Sequence, residues 1–142
     1  MTTQQQLVID QCKRNYDDLN RTGEHLDYKA FALLLASVLL AFVSGMAIVP
    51  VAFMTATIAG ALGALAPREH KRVGDGDWDA FFNLYISVEA DNAINQVLSN
   101  LGNAITVNAA SNEDKARLVN LATFMLMFQV LSVLALAFGF GG

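Results

Sequence analysis

The chain has one cysteine, two histidines, two prolines and one tryptophan in 142 residues. A lone thiol, Cys12, excludes a disulfide framework and a thiolate metal site. The histidines stand apart, His25 beside Glu24 and His70 within Arg68-Glu69-His70-Lys71-Arg72, so no paired-histidine metal spacing exists. There is no Gly-rich phosphate loop, no nucleophile elbow and no Cys–His pair close in sequence. Asp75 and Asp77 flank Gly76 as in a calcium loop, but the acidic residue such a loop needs downstream is missing, and the segment reads as a turn. No catalytic residue, cofactor or metal is expected, and the chain does not read as an enzyme.

Charge is the more telling shortage. Asp, Glu, Lys and Arg make up 15% of the chain, and every one lies in residues 1–29 or 68–117. Residues 30–67 and 118–142 contain none of them, and no His. An ionisable group at mid-bilayer costs about 2.5–3.5 kcal/mol even on lenient insertion scales, so these Leu-, Ala-, Val- and Phe-rich tracts predict an integral membrane protein. The first tract is too long for one pass, because a helix spans a core of ~30 Å with about 20 residues. It predicts a hairpin of two helices, 28–46 and 50–66, turning at Gly45 and Pro50. The second tract predicts a third crossing at 118–138.

The basic residues flank these crossings on one side only: Lys13, Arg14, Arg21 and Lys29 before the first, Arg68, Lys71 and Arg72 after the second, Lys115 and Arg117 before the third. The positive-inside rule then predicts a cytoplasmic amino terminus, with the 45–50 turn and the carboxyl terminus outside. The acidic leader does not read as a cleaved signal peptide. Thirteen acidic residues against nine basic ones argue against a sequence-blind polyanion-binding surface.

In the leader, Ile9, Cys12, Tyr16, Leu19, Gly23, Leu26 and Ala30 alternate at spacings of three and four, a heptad seam that runs into the first crossing. It predicts a cytoplasmic stalk helix whose seam needs a partner, either another subunit or the 68–117 segment. That segment should hold two helices or one broken helix. Asp77 or Asp79 caps a start rich in Trp78, Phe81, Phe82, Tyr85 and Ile86, and Ile94, Val97, Leu98, Leu101 and Ile105 repeat at helical spacing. Ser111 or Asn112 is expected to cap the third crossing. The expected fold is a single all-α domain: three transmembrane helices, an amino-terminal stalk and a helical cytoplasmic loop module.

Within the second crossing, Ala52, Ala56, Gly60 and Ala64 recur every fourth residue beside Thr55, Ala59 and Gly63. Membrane helices associate through such small residues and through interhelical hydrogen bonds, so this is a packing helix, either within its own chain or between subunits. Ser37, Ser44, Thr55, Thr57, Thr123, Gln129 and Ser132 are the polar groups at membrane depth. Gln129 is the costliest and needs a partner, as interhelical glue or as a polar point in a water-filled path. A path lined by Ala, Ser, Thr, Leu and Gly has no charged ring to select ions and would gate by wetting.

Asp27-x-Lys29-Ala30 entering the first crossing, Pro67-Arg68 leaving the second and the aromatics Phe81, Phe82 and Tyr85 together resemble the transmembrane effectors of Pycsar-type bacterial anti-phage systems and the related SLATT family. The resemblance covers nearly the whole chain through short motifs. It implies a membrane effector of nucleotide-signalled immunity in the bacterial inner membrane. A nucleotidyltransferase or cyclase encoded nearby makes a second messenger, and the effector compromises the membrane as a pore-forming or channel-like homo-oligomer, with a tetramer as the working assumption. Pycsar effectors commonly carry a fused cyclic-nucleotide-binding domain that is not expected here. Either the cytoplasmic helices bind the signal, with Arg68, Lys71, Arg72, Lys115 and Arg117 toward phosphate and Trp78 toward a base, or a sensor protein does. The alternative is a non-conducting anchor or scaffold that recruits a cytoplasmic partner.

Overall fold

A computed structural model describes residues 3–68 and 90–139. Every regular element among them is an α-helix: α1 Thr3–Val43, α2 Ile48–Leu65 and α3 Ala90–Ala137. The turn at Gly74–Asp77, the caps Asp77 and Asp79 and the aromatic group from Trp78 to Ile86 lie outside the described residues. The chain divides into two compact units, Met1–Thr22 with Arg68–Asn112, and Gly23–Pro67 with Glu113–Gly142.

The second unit holds the charge-free tracts, and its packing is inverted relative to a water-soluble core. The buried apolar side chains are small: Ala30, Ala61 and Ala64 with Val119, joined by the partly buried Leu26, Leu33, Leu34, Leu65 and Leu118. The large ones face outward, including Phe31, Leu35, Leu39 and Phe42 on one stripe of α1 and Leu121, Phe124, Phe128 and Leu131 on α3. Water would reject such a surface, whereas lipid gives large side chains no reason to be inside and rewards close backbone approach by small ones. All three helices are long and apolar enough to cross a membrane, with apolar windows of mean hydropathy 1.9, 1.9 and 2.0. No more than 28% of any window is buried inside the protein.

The α1–α2 turn is built by glycine. Gly45 has φ 64° and donates to the Phe42 carbonyl (3.1 Å), and Met46 donates to the Ala41 carbonyl (3.0 Å). This pair of bonds is a Schellman closure, which needs a left-handed residue just past the helix end and so favours glycine there. Met46 is also left-handed, at φ 60°, a strain of about 1–2 kcal/mol for a residue with a Cβ. As a result α1 ends at Val43, three residues before the expected end, and α2 starts at Ile48, two before the expected start. Pro50 is then the third residue of α2, where its missing N–H leaves no helical bond unmade.

The expected break ahead of the third crossing is corrected. Residues 90–137 form one helix, and Ser111 and Asn112 lie in its middle instead of capping a start. No Gly or Pro occurs from residue 103 to 138 to interrupt the ladder. Asn112 is buried and donates sideways to the Leu19 carbonyl on α1 (2.6 Å), so its side chain is not available to its own backbone. In the first unit, therefore, the early part of α3 contacts the stalk seam, and the seam has a partner within the chain.

Candidate functional site

Among the described residues the buried ones of α3 are Leu101, Ala104, Asn108, Ser111, Asn112, Lys115, Val119, Ala122 and Gln129; Asn112 aside, they follow steps of three and four as far as Ala122 and a step of seven to Gln129, the spacing of a coiled-coil seam. Its middle is polar. The α1 seam is the less exposed side of that helix throughout, with Gly23, Ala30, Ser37 and Ala41 buried. Within the second unit the two seams are parallel, since Asp27 meets Lys115 and Ser37 meets Gln129.

At the end of the charge-free tracts the Lys115 Nζ donates to the Asp27 Oδ1 at 2.7 Å, with side chains 11% and 42% exposed respectively. Lys115 reaches this place because it falls on the seam of α3, which aims its stem at α1. A phosphate at Lys115 would have to displace Asp27. Arg117, two residues on, points the other way and pairs with Glu113 one turn earlier (2.6 Å), both side chains well exposed. An exposed pair of this kind is worth only about 0.3–0.5 kcal/mol, which leaves Arg117 free to exchange Glu113 for another anion. Arg68 is half-buried and engaged. Lys71, Arg72 and Trp78 lie outside the described residues.

Deeper in the second unit, the fully buried Ser37 Oγ donates to the Gln129 Oε1 (2.7 Å), and the Gln129 Nε2 donates to the Ser37 carbonyl (2.8 Å). Gln129 is therefore interhelical glue within one chain, without exposure to a water path there. The other hydroxyls at membrane depth turn back on their own helices: Ser44 to Ala41, Thr55 to Val51, Thr57 to Phe53, Thr123 to Val119 and Ser132 to Gln129. Each hydroxyl is thereby satisfied within its own helix.

The small row of α2 splits between two faces. Gly60 and Ala64 are buried, Ala52 and Ala56 exposed. A step of four residues overshoots a turn by about 40°, so a row of four such residues rotates about 120° around the helix. Gly60 lies against α3, where a Cβ added to it would sit 3.2 Å from the Ala122 Cβ, and one on Gly63 would sit 3.3 Å from the Leu118 Cδ1. Both glycines thus pack against α3 within the chain. Ala52, Thr55, Ala56 and Ala59 are the small residues left exposed. Phe53 and Phe128 stack near the same contact, ring centres 5.7 Å apart and 20° from parallel.

Sequence reasoning missed the polar middle of the α3 seam. Asn108 is fully buried, and Asn20 Oδ1, Ser111 Oγ and Asn112 Oδ1 are buried without a hydrogen-bond partner among the described residues. The missed signal was the spacing of three and four itself, which continues through Asn108, Ser111 and Lys115 once polar residues are admitted to it. Among the described residues no group of three His, Cys, Asp or Glu is placed to hold a metal.

Compared with known proteins, the chain matches no family model, no curated protein and no solved structure. Among the described residues the fold and the packing define a class: an all-helical protein with three helices able to cross a membrane, in which the Asp27–Lys115 ion pair and the buried Ser37–Gln129 pair join α1 to α3.

Proposed function

We propose that this chain is a membrane effector of bacterial antiviral defence. It assembles as a channel-like homo-oligomer in the inner membrane and depolarises it when a nucleotide second messenger, made by a partner enzyme, reaches its cytoplasmic side. The observation that carries this reading is the place of the Asp27-x-Lys29-Ala30 motif. Asp27 binds Lys115, and Ala30 has no exposed surface and belongs to the core where α1 meets its neighbours. The motif on which the family resemblance rests therefore sits where α3 holds the entry of α1, and on this reading the contact is stronger in one of two helix arrangements than in the other. A signal that favours one arrangement shifts the equilibrium by its difference in affinity for the two.

Because the polar groups at membrane depth bond each other or their own helices, a conducting path on this reading forms between subunits. The exposed small residues Thr55, Ala56 and Ala59 suit such close contacts. Signal contacts fall to Arg68, Arg117, Lys71, Arg72 and Trp78, or to a sensor protein.

Purified full-length chain in dye-loaded liposomes tests the reading, with candidate cyclic and linear nucleotides added in turn, alongside membrane potential measured in cells on induction. Release or depolarisation that depends on a nucleotide or on a co-expressed nucleotide-synthesising enzyme supports it. An intact potential under both conditions supports the non-conducting scaffold instead.

A further inference from the structure

Beside the α1–α3 contact of the second unit runs a groove of about 310 Å³, lined by Lys29, Ala32, Leu33, Ala36, Val119 and Thr123. Its shape follows from the sequence. Ala32 and Ala36, one turn apart, strip the flank of α1 of side-chain bulk, and Val119 and Thr123, also one turn apart, form the opposite wall. The Thr123 hydroxyl is spent on the Val119 carbonyl at 2.8 Å, so the wall is effectively hydrocarbon. Leu33 and Val119 belong to or pack on the core cluster, which gives the groove a fixed floor.

One end of the groove is cationic. Lys29 is the last charged residue before the uncharged tract, and Tyr28 beside it is 74% exposed, the pairing of lysine and aromatic that marks a membrane–water interface. The adjacent carboxylate, Asp27, is committed to Lys115, and one turn back from Lys29 stands His25. No carboxylate is paired with Lys29 among the described residues. From Lys29 to Ala36 the groove descends about 10 Å along α1, from the interface into hydrocarbon.

We infer that this groove is a binding site for an anionic phospholipid. An acyl chain lies against Ala32, Ala36, Val119 and Thr123 while the headgroup phosphate is held by Lys29. Charge complementarity selects this occupant over a second copy of the chain, because a protein helix laid in the groove would cover the ammonium without supplying an anion. Basic pockets at the ends of apolar clefts between membrane helices are suited to anionic headgroups. The inference rests on the reading that these helices cross a bilayer.

Full-length protein extracted in mild detergent and examined by native mass spectrometry tests it, with phosphatidylglycerol, phosphatidylcholine of the same acyl chains, and inorganic phosphate added separately. Phosphatidylglycerol is expected to be retained in preference to phosphatidylcholine by about fivefold, the worth of one lysine at an anionic surface. Lys29→Gln lowers phosphatidylglycerol retention to the phosphatidylcholine level. Ala36→Leu lowers retention of both lipids. Should Ala36→Leu fail to fold, Thr123→Phe fills the same groove from the other wall. Equal retention of the two lipids, competition by inorganic phosphate, or full retention in the filled variants overturns the site. Failure of the bilayer reading is separate: the protein would then not partition with membranes at all.

Discussion

Gln129 is held twice by a single residue 92 positions away: it accepts from the Ser37 hydroxyl and donates to the Ser37 carbonyl. The two bonds tie a side chain on α3 to both the side chain and the backbone of α1, so the pairing sets the register of the parallel helices. In lipid such bonds are worth about 0.6 kcal/mol on average and at most about 1.7, because the unassembled helices also find partners. Their larger consequence is asymmetric, since an orphaned buried amide costs about 1–3 kcal/mol. Ser37→Ala is therefore expected to destabilise the bundle by about 1–2 kcal/mol, and adding Gln129→Leu to recover most of the loss. Unfolding titrations in detergent measure both. Losses that add in the double variant would show that the two residues act independently.

A second expectation concerns the contact of α2 with α3. The Cβ introduced by Gly60→Ala would meet the Ala122 Cβ at 3.2 Å, an atom with no rotamer to move, so α2 has to shift. At Gly63 the obstacle is the tip of Leu118, which can swing. Alanine gains about 1 kcal/mol over glycine in a helix, so Gly63→Ala should be neutral or stabilising while Gly60→Ala destabilises. Ala122→Gly in the Gly60→Ala background restores room for the new methyl and should raise the melting temperature again. If both alanine variants melt alike, the close approach at Gly60 is not what holds the helices.

The three-helix plan was legible because it depends on the charge-free tracts, and charge at mid-bilayer is decisive in energy. Gly45 was legible as a turn for a local reason, its left-handed backbone. Other features depended on tertiary partners. Ser111 and Asn112 carry strong capping chemistry, and nothing in the local sequence reveals that Asn112 would find the Leu19 carbonyl instead. The i+4 row on α2 was real as a pattern, but its rotation around the helix divided it between two faces. The Asp27–Lys115 pair joins residues 88 apart and leaves no periodic trace beyond Lys115's seam position.

That pair yields a third expectation. Lys115 is nearly covered while Asp27 remains 42% exposed, so removing the carboxylate strands a desolvated ammonium. Fully buried pairs broken in this way cost about 3–5 kcal/mol; with one partner partly in water, Asp27→Asn should cost about 1–2. Lys115→Met keeps the apolar stem and removes the charge, so it should be milder, and the double variant close to the parent. The order of melting temperatures checks this: Asp27→Asn lowest, Lys115→Met above it. A reversed order would mean that the Lys115 stem packs poorly without its charge and that packing outweighs desolvation at this contact.

The last expectation follows from the buried oxygens near Leu19. Asn112 has its amide nitrogen on the Leu19 carbonyl, but its own oxygen, the Ser111 hydroxyl and the Asn20 oxygen have no partner among the described residues. A buried polar atom that bonds nothing adds a desolvation penalty to the folded state and returns no bond energy. Ser111→Ala removes such an atom with almost no change in volume and improves helix propensity, so it should stabilise the protein by up to about 1 kcal/mol. Asn112→Ala is the contrasting case, because it abandons the Leu19 carbonyl and should destabilise by about 1 kcal/mol or more. If Ser111→Ala instead destabilises by that amount, the hydroxyl is bonded in solution, and an ordered water bridging it to Asn20 or Asn112 is the natural partner in a polar site of this kind. Measuring the two variants side by side separates a seam that tolerates its polar residues from one that uses them to fix the α1–α3 register, as a single buried asparagine does in parallel coiled coils.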